Sequence, residues 1–370
     1  MKQKKLVITK TPERSELMKL MASEDRNVAY QAQTAFASFL RPIVQRLLDQ
    51  KATVNYIYSD VAIGKNDKPT VPLDPYVNYH EGEFRVWAQT VAGGLPTNYT
   101  QGLSEMPFIF YTLNSAMSLN KDYIEQARVD LLARAITRVV QEFVAKQERN
   151  GWGPILAALA NGYSVNNSLN NSISSTVAGR IQPDDINKMI VRATRMYQSF
   201  AGGSIEGDYG LTDIFLSPER MADVRSFAYN PVNTVNGGAT PNSAGNIALP
   251  ESVRSDIFKA SGAKEFFGIT FNELRELGAG GKLATIFGAA LAAVPANTLS
   301  FTAATNDLLI GLDLNQDVFL RPVKTDDGGG SVKASVDDQF YTRSGKVGWF
   351  WELCESRLVL DSRPITGLVV

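Results

Sequence analysis

Between Asn120 and Gly151, apolar residues recur at three- and four-residue spacing, and polar residues occupy the positions between them. This pattern predicts one long amphipathic helix, with Asn120 as its N-cap and a left-handed stop at Gly151. No proline or glycine interrupts its interior, and the stretch from Lys121 to Arg149 would be about 44 Å long as a helix. Because most helices of soluble proteins are far shorter, we expect the other elements to be arranged around this one.

The chain ahead of this helix begins with a basic segment, residues 1–50. Helical spacing of apolar residues from Ala29 to Leu48 predicts a helix that bends or restarts at Pro42. A basic arm can contact nucleic acid, but a solvated face is the more common explanation of such charges, and we adopt it here.

The period of the pattern then changes from helical to alternating. Val54–Tyr58 and Phe84–Gln89 alternate apolar and polar residues and predict two strands. Gly64–Pro69 predicts a turn at the tip between them. Since a two-stranded ribbon is marginally stable in water, we expect a neighbouring copy of the protein to support it.

The remaining chain mixes strands and helices without a repeated strand–helix–strand order, which favours an α+β fold. The predicted helices are Pro154–Ala160, Ile181–Phe200 and Ser217–Phe227. The predicted strands are Pro107–Leu113, Thr212–Leu216, Phe266–Phe271, Ala284–Leu291, Leu308–Leu312, Asp317–Lys324, Ser331–Val336, Lys346–Leu353 and Arg357–Leu360. Ala284–Leu291 is ambiguous between strand and helix, and Asp326–Gly330 predicts a hairpin turn between the strands beside it.

Composition narrows the classes of function. The chain has 370 residues, with 37 basic and 38 acidic side chains, so its charge gives no general attraction to nucleic acid or membranes. Its one cysteine, Cys354, cannot form an internal disulfide, and its one histidine, His80, cannot form a histidine-based metal site. Without a signal-like start or a membrane-length apolar run, we expect a soluble protein in a reducing compartment.

Several stretches approach known catalytic motifs and depart from them at essential positions. Glu276–Leu283 lacks the first glycine and the final Ser or Thr of a phosphate-binding loop, which predicts a glycine turn. Gly202–Glu206 lacks the last glycine of a nucleophile elbow. The adjacent acid pairs, Asp184-Asp185, Asp326-Asp327 and Asp337-Asp338, lack calcium-loop spacing. We therefore expect no enzyme, no cofactor and no metal site.

The C-terminal stretch Glu352–Leu368 combines an arginine, an alternating apolar run and a second arginine followed by proline. It resembles the closing strand of tailed-phage major capsid proteins of the Hong-Kong-ninety-seven type. Thr212–Glu219 is similar to the strand-to-helix step of that family. The order of parts along nearly the whole chain resembles the family more than either motif does: arm, extended loop, long helix, central α/β region and β-rich return.

The resemblance implies a division of the chain into named parts. Residues 1–52 would be an N-terminal arm, and residues 53–106 an extended β-hairpin loop. Residues 107–150 and 311–355 would form the peripheral domain with its spine helix, and residues 151–310 and 356–370 the axial domain.

The resemblance also implies a function and partners. Copies would assemble as hexamers and pentamers into an icosahedral virion capsid that encloses packaged double-stranded DNA without sequence-specific binding. Assembly would take place in the cytoplasm of a host bacterium, with a separate scaffolding protein, a portal and accessory cement proteins as candidate partners and no membrane. The candidate intersubunit contacts are Lys65, Lys68, Arg85, Trp87, Arg128, Arg134 and Arg138. Arg128, Arg134 and Arg138, with Glu142 and Lys146, are expected to face subunit contacts or the shell lumen.

Two alternatives remain open from the sequence. An encapsulin-like bacterial compartment shell would share the fold and the assembly but enclose a cargo enzyme. A soluble α+β enzyme would need a convergent set of acid, base and nucleophile, which we do not find in the sequence.

Overall fold

The structure, a computed structural model, shows a mixed α+β chain divided into two compact units, which confirms the predicted class. Unit 1 comprises Met1–Val71, Met106–Gly151 and Phe319–Leu358. Unit 2 comprises Pro72–Glu105, Trp152–Val318 and Val359–Val370. The residues that the structure describes are 12–64, 67–72, 105–126, 129–162, 170–196, 210–227, 232–233, 246–247, 265–266, 268–294, 299–315, 317–325, 332–337 and 345–370.

The elements are numbered here in chain order within the described residues. The helices are α1 (Pro12–Met21), α2 (Arg26–Lys51), α3 (Val54–Ile57), α4 (Lys121–Glu125), α5 (Val129–Asn161), α6 (Pro183–Met196), α7 (Pro218–Ser226) and α8 (Lys282–Ala292). The strands are β1 (Ser59–Ile63), β2 (Thr70–Pro72), β3 (Glu105–Pro107), β4 (Tyr111–Asn120), β5 (Ser172–Ser174), β6 (Asp213–Leu216), β7 (Val232–Asn233), β8 (Asn246–Ile247), β9 (Glu265–Phe266), β10 (Ile269–Glu273), β11 (Leu308–Leu312), β12 (Phe319–Lys324), β13 (Val332–Asp337), β14 (Lys346–Glu355), β15 (Leu358–Val359) and β16 (Ile365–Val369).

The sheet of unit 1 is centred on β14. This strand pairs antiparallel with β4 along its whole length, from Tyr111 opposite Glu355 to Asn120 opposite Lys346, and with β13 on its other side. It meets β12 at one residue pair, and β12 also pairs with β15 and, in parallel, with β1. Burial alternates along β4, so one face of the sheet is apolar and the other is polar.

Helices α2 and α5 supply apolar side chains to the core of unit 1, together with that apolar sheet face. Asp25 caps α2 by accepting a hydrogen bond from the Asn27 amide, and the helix continues through Pro42. The ring of Phe36 lies 5.6 Å from that of Trp349 on β14. The predicted helix from Ala29 to Leu48 is confirmed, without a restart at Pro42.

The long helix exists, but its predicted ends are wrong. Residues Lys121–Glu125 form the separate short helix α4, and the Asn120 side chain makes no capping hydrogen bond. Helix α5 does not stop at Gly151 and includes Pro154, so the helical turn predicted at Pro154–Ala160 is part of it. Gly151 allows close packing instead of ending the helix, because a Cβ there would lie 2.0 Å from Val54 Cγ1.

The segment after α2 also differs from its prediction. Val54–Ile57 is the short helix α3, and the strand begins only at Ser59. The turn predicted at the tip is present in part, since the Asp67 carboxylate accepts a hydrogen bond from the Gly64 amide at 2.8 Å. The strand predicted at Phe84–Gln89 lies outside the described residues.

The sheet of unit 2 has the strand order β5-β16-β11-β6-β10-β9. β16 runs parallel to β5 and antiparallel to β11, β11 runs antiparallel to β6, and β6 runs parallel to β10. The three central strands are buried along their whole lengths, as continuous apolar runs predict. Helices α6 and α7 contribute to the apolar core on this sheet.

Three local predictions in the later chain can be compared directly. The strand-to-helix step at Ser217 is confirmed, since Pro218 opens α7 and the Ser217 side chain accepts a hydrogen bond from the Arg220 amide. Ala284–Leu291 lies within the helix α8 and is not a strand. The predicted hairpin between β12 and β13 is wrong, because among the described residues the two strands each pair with β14 and not with each other.

Candidate functional site

A buried cluster of charged side chains surrounds Glu355 in unit 1. The carboxylate of Glu355 is fully buried and accepts hydrogen bonds from Arg321 Nε at 2.8 Å, Arg357 Nη2 at 3.4 Å and Tyr111 Oη at 3.1 Å. Gln147 on α5 donates a further bond to it at 3.2 Å. The cluster thereby joins β4, α5, β12 and β14 around one negative charge.

The two arginines of this cluster reach further partners. Arg321 Nη1 donates to Asp60 on β1 at 3.2 Å, and Arg357 Nη2 donates to Asn55 on α3 at 2.7 Å. The Arg357 guanidinium lies 4.9 Å from the centre of the Tyr58 ring, within the range of a cation–π contact. These contacts balance two buried positive charges with two carboxylates.

The two tyrosines of the cluster, Tyr58 and Tyr111, both have a raised pKa. Burial raises the pKa of Tyr58, although the charge of Arg357 partly lowers it. Burial and the negative charge of Glu355 raise the pKa of Tyr111. A general acid or base needs a pKa near the working pH, and the pKa of each of these two tyrosines is raised away from neutral pH.

Helix α3 is held against α5 next to this cluster. Glu148 on α5 accepts hydrogen bonds from the amides of Thr53 and Val54, at the positive end of α3. Tyr58 Oη donates to the Gly151 carbonyl at 2.7 Å, and Val54 packs directly on Gly151. A glutamate of α5 thus caps a helix that precedes it by about ninety residues.

A second polar cluster surrounds Asp307 in unit 2. Ser217 Oγ donates to Asp307 Oδ2, and Arg220 Nε donates to the same oxygen at 3.1 Å. Arg220 also bonds Asp223 at 2.8 Å and the Gly179 carbonyl. A serine beside an aspartate does not form a nucleophilic triad without a base, and the chain's one histidine, His80, lies outside the described residues.

The described residues give no support to the other chemical motifs. Gly278 and Gly280 have φ values of 127° and 74°, and Gly281 precedes α8, so Glu276–Leu283 is the predicted glycine turn. No group of metal-ligating side chains occurs among the described residues. Within the same residues, no helix has the length and apolarity that crossing a membrane requires.

The two arginines of the C-terminal stretch have different surroundings. Arg357 is buried in the Glu355 cluster of unit 1. In unit 2, Arg363 Nε donates to Asp361 at 2.6 Å. Asn171 holds the turn that follows, donating to the carbonyls of Ser362 and Ile365 at 2.6 Å and 3.0 Å.

The candidate intersubunit residues divide into described and undescribed positions. Lys68 is exposed between β1 and β2, while Arg134 and Arg138 are exposed on α5. Arg138 pairs with Glu142 at 3.0 Å. The other candidates lie outside the described residues: Lys65, Arg85, Trp87 and Arg128.

Sequence reasoning missed the Glu355 cluster. One signal was available: Arg321 stands inside the apolar run of β12, and an arginine in a buried strand requires a carboxylate partner. The sequence did not show which acid would supply it, because Glu355 is 34 positions away and on a different strand.

No protein-family model matches the chain, and no curated protein matches it in sequence. Among solved structures, it is similar to one from Microbacterium phage Oxtober96, with 11% identity and a TM-score of 0.46 over 86% of this chain and 90% of that one. It is similar to the capsid of an empty GTA particle, with 11% identity and a TM-score of 0.46 over 86% and 89% of the two chains. It is also similar to the holo-SrpI encapsulin complex from Synechococcus elongatus PCC 7942, with 10% identity and a TM-score of 0.39 over 72% and 75%.

Proposed function

We propose that this protein is the major capsid protein of a tailed phage, a structural subunit whose copies form hexamers and pentamers of an icosahedral shell around double-stranded DNA. The observation that carries the proposal is the order of parts: α2 and the sheet of unit 1, a long segment bracketed by β2 and β3, the long helix α5, and a β-rich return. The described polar clusters support a structural role, because each fixes chain segments together.

The segment 73–104 is the proposed extended loop. It leaves the described structure at β2 and re-enters at β3, and these two strands pair with each other, so the two ends of the segment lie side by side. Helix α3 and strand β1, at the start of the loop region 53–106 that the resemblance implies, belong to unit 1. In the proposed shell, residues 73–104 of each copy, with Lys65 and Lys68 ahead of them and Arg85 and Trp87 within them, contact a neighbouring copy.

Unit 1 corresponds in this proposal to the peripheral domain and unit 2 to the axial domain. Support comes from the way each unit is assembled: residues 319–358 return to unit 1, and residues 359–370 return to unit 2. The segment proposed as an arm, residues 1–52, contributes α2 to the core of unit 1.

Self-association supplies the stability of such a shell. Weak contacts repeated around closed symmetry add up, so no single interface has to be strong. A separate scaffolding protein, a portal and cement proteins complete the proposed set of partners, and assembly is placed in the bacterial host cytoplasm.

Electron microscopy of the purified protein tests the proposal directly. We expect negatively stained samples to contain shells, hexamers or tubes at high protein concentration. A uniform monomer across a wide range of concentrations contradicts the proposal. Nucleic acid recovered from shells purified from infected or expressing cells separates a virion from a compartment shell, which would contain a cargo protein.

A second experiment tests the loop. Because β2 and β3 are paired, a short Gly-Ser linker can replace residues 73–104 without separating the strands. We expect the variant to keep its circular dichroism spectrum and its thermal unfolding midpoint but to fail to form shells. Shell formation at the wild-type concentration would refute an intersubunit role for this segment.

A further inference from the structure

The outward side of α5 in unit 1 carries an excess of positive charge. Four basic residues of this helix are exposed: Arg134, Arg138, Lys146 and Arg149. At about 100° per residue, the three arginines fall within roughly 60° of one another around the helix axis. The buried side chains of Leu132, Ile136 and Val140 face the opposite side. We call these four basic residues the α5 basic ridge.

The acidic residues of α5 whose side chains the structure describes, Glu142 and Glu148, do not neutralise the ridge. Glu142 is exposed and pairs with Arg138 at 3.0 Å, and the side chains of this pair are 65% and 75% exposed. Such exposed pairs are weak and exchange readily for another anion. Glu148 turns instead toward the amides of Thr53 and Val54. Among these described side chains, the four positive charges of the ridge and the one negative charge of Glu142 leave about +3.

The length and the chemistry of the ridge fit a linear polyanion. Arg134 and Arg149 are about 22 Å apart along the helix axis, and double-stranded DNA carries one charge per about 1.7 Å of its length. A row of cations on a rigid helix can follow the phosphates of a duplex without reading its bases. Arginine suits this role because its planar guanidinium bonds phosphate oxygens in pairs.

We infer that the α5 basic ridge contacts the phosphate backbone of double-stranded nucleic acid, in a manner independent of base sequence. The inference rests on the proposed shell function, since packaged DNA is the polyanion that such a shell encloses. Two roles were expected for Arg134 and Arg138, contact with another subunit or contact with the shell lumen. The inference assigns them the second role.

The test compares three variants of the full-length protein in binding a fluorescent DNA duplex. The first, Arg134→Gln/Arg138→Gln/Arg149→Gln, removes three charges from the ridge. The control Lys19→Gln/Arg46→Gln/Arg275→Gln removes three exposed charges elsewhere. A third variant, Arg134→Lys/Arg138→Lys/Arg149→Lys, keeps the positive charge of the ridge. Fluorescence anisotropy at several salt concentrations gives the affinity and its salt slope for each.

A plot of log affinity against log salt concentration gives a negative slope, and we expect the ridge variant to make it less steep by about 2.7. Over a fourfold rise in salt, the variant would then lose about 40-fold less affinity than the wild-type protein. The control and the lysine variant should have salt slopes that differ from the wild-type slope by less than about 1. An unchanged slope in the ridge variant overturns the inference. Equally tight binding of a polyglutamate probe also overturns it, by assigning the ridge to an acidic protein.

Microscopy of the same samples separates this inference from the proposed function. Shells formed by the ridge variant at the wild-type concentration, combined with weakened DNA binding, support contact with the shell contents. Loss of shells in the ridge variant alone assigns the ridge to a subunit interface and overturns the inference. Absence of shells in the wild-type protein counts against the proposed function, while the DNA-binding comparison still tests the ridge.

Discussion

Replacing Gly151 with alanine is expected to destabilise the protein, although alanine is normally the better residue inside a helix. The substitution favours the helix by about 1 kcal/mol. The new Cβ, however, would lie 2.0 Å from Val54 Cγ1 and 3.1 Å from Val54 Cβ. Val54 is fully buried in α3, whose amides are held by Glu148, so the clash requires movement of the backbone.

The expected magnitude follows from these two opposing effects. Overpacking of this kind costs about 1–3 kcal/mol, and a contact this short belongs near the upper end of that range. After subtraction of the gain in helix propensity, a net loss of about 2 kcal/mol remains. For a folding unit of roughly 150–250 residues, this loss lowers the unfolding midpoint by about 4–8 °C.

Differential scanning calorimetry measures the effect in four variants: Gly151→Ala, Gly288→Ala, Val54→Ala and Val54→Ala/Gly151→Ala. The control is Gly288→Ala in the interior of α8, where the new Cβ would meet its nearest neighbour, Ala303, at an ordinary 3.5 Å. We expect this control to raise the midpoint. In a Val54→Ala background, Gly151→Ala should cost less than in the wild-type protein, because Cγ1 is gone. A Gly151→Ala protein as stable as the control would refute the reasoning.

Three further predictions concern the polar clusters. Glu355→Gln removes the carboxylate between two buried arginines and should cost about 3–5 kcal/mol in urea unfolding, whereas Glu142→Gln, at the exposed partner of Arg138, should have no measurable effect. If Glu355→Gln and Glu142→Gln changed the free energy of unfolding equally, a structural role for the Glu355 cluster would be contradicted. Ser217→Ala removes the cap of α7 and should cost about 1–2 kcal/mol, compared with less than about 0.5 kcal/mol for the exposed Ser38→Ala. Because burial raises the pKa of Tyr58 and Tyr111 above their ordinary value near 10, stability is retained below that pH and lost as the pH rises beyond it. Midpoints measured between about pH 8 and 11 should fall less steeply for Tyr58→Phe/Tyr111→Phe than for the exposed Tyr56→Phe, and parallel curves would contradict the assignment.

Local signals in the sequence were sufficient where the structure is decided locally. Ser217 and Pro218 lie next to each other at the start of α7, and both act within that first turn, so the helix start was predictable. The buried strand β11 and the helix α2 follow from continuous and helical apolar patterns respectively. Each of these elements depends on the chemistry of neighbouring residues.

The wrong predictions have causes that lie far away in the chain. Gly151 is a glycine because Val54 packs on it, and no local pattern distinguishes this role from that of a helix stop. Val54–Ile57 is helical because Glu148 caps it, although its alternating pattern suits a strand. The hairpin prediction was wrong because β13 pairs with β14 instead of with β12. The Glu355 cluster joins β4, α5, β12 and β14, which sequence spacing alone does not bring together.

The position of β14 also has a consequence for how the protein is made. β4 is synthesised early, but its only partner in the described sheet is β14, whose residues follow more than two hundred positions later. In unit 2, β16 lies between β5 and β11, so that sheet cannot form completely until residues 365–369 have been synthesised. Neither sheet can close while the ribosome is still translating the middle of the chain. The nascent protein therefore carries unpaired apolar strands, and a chaperone that shields them during synthesis would raise the yield of folded subunits.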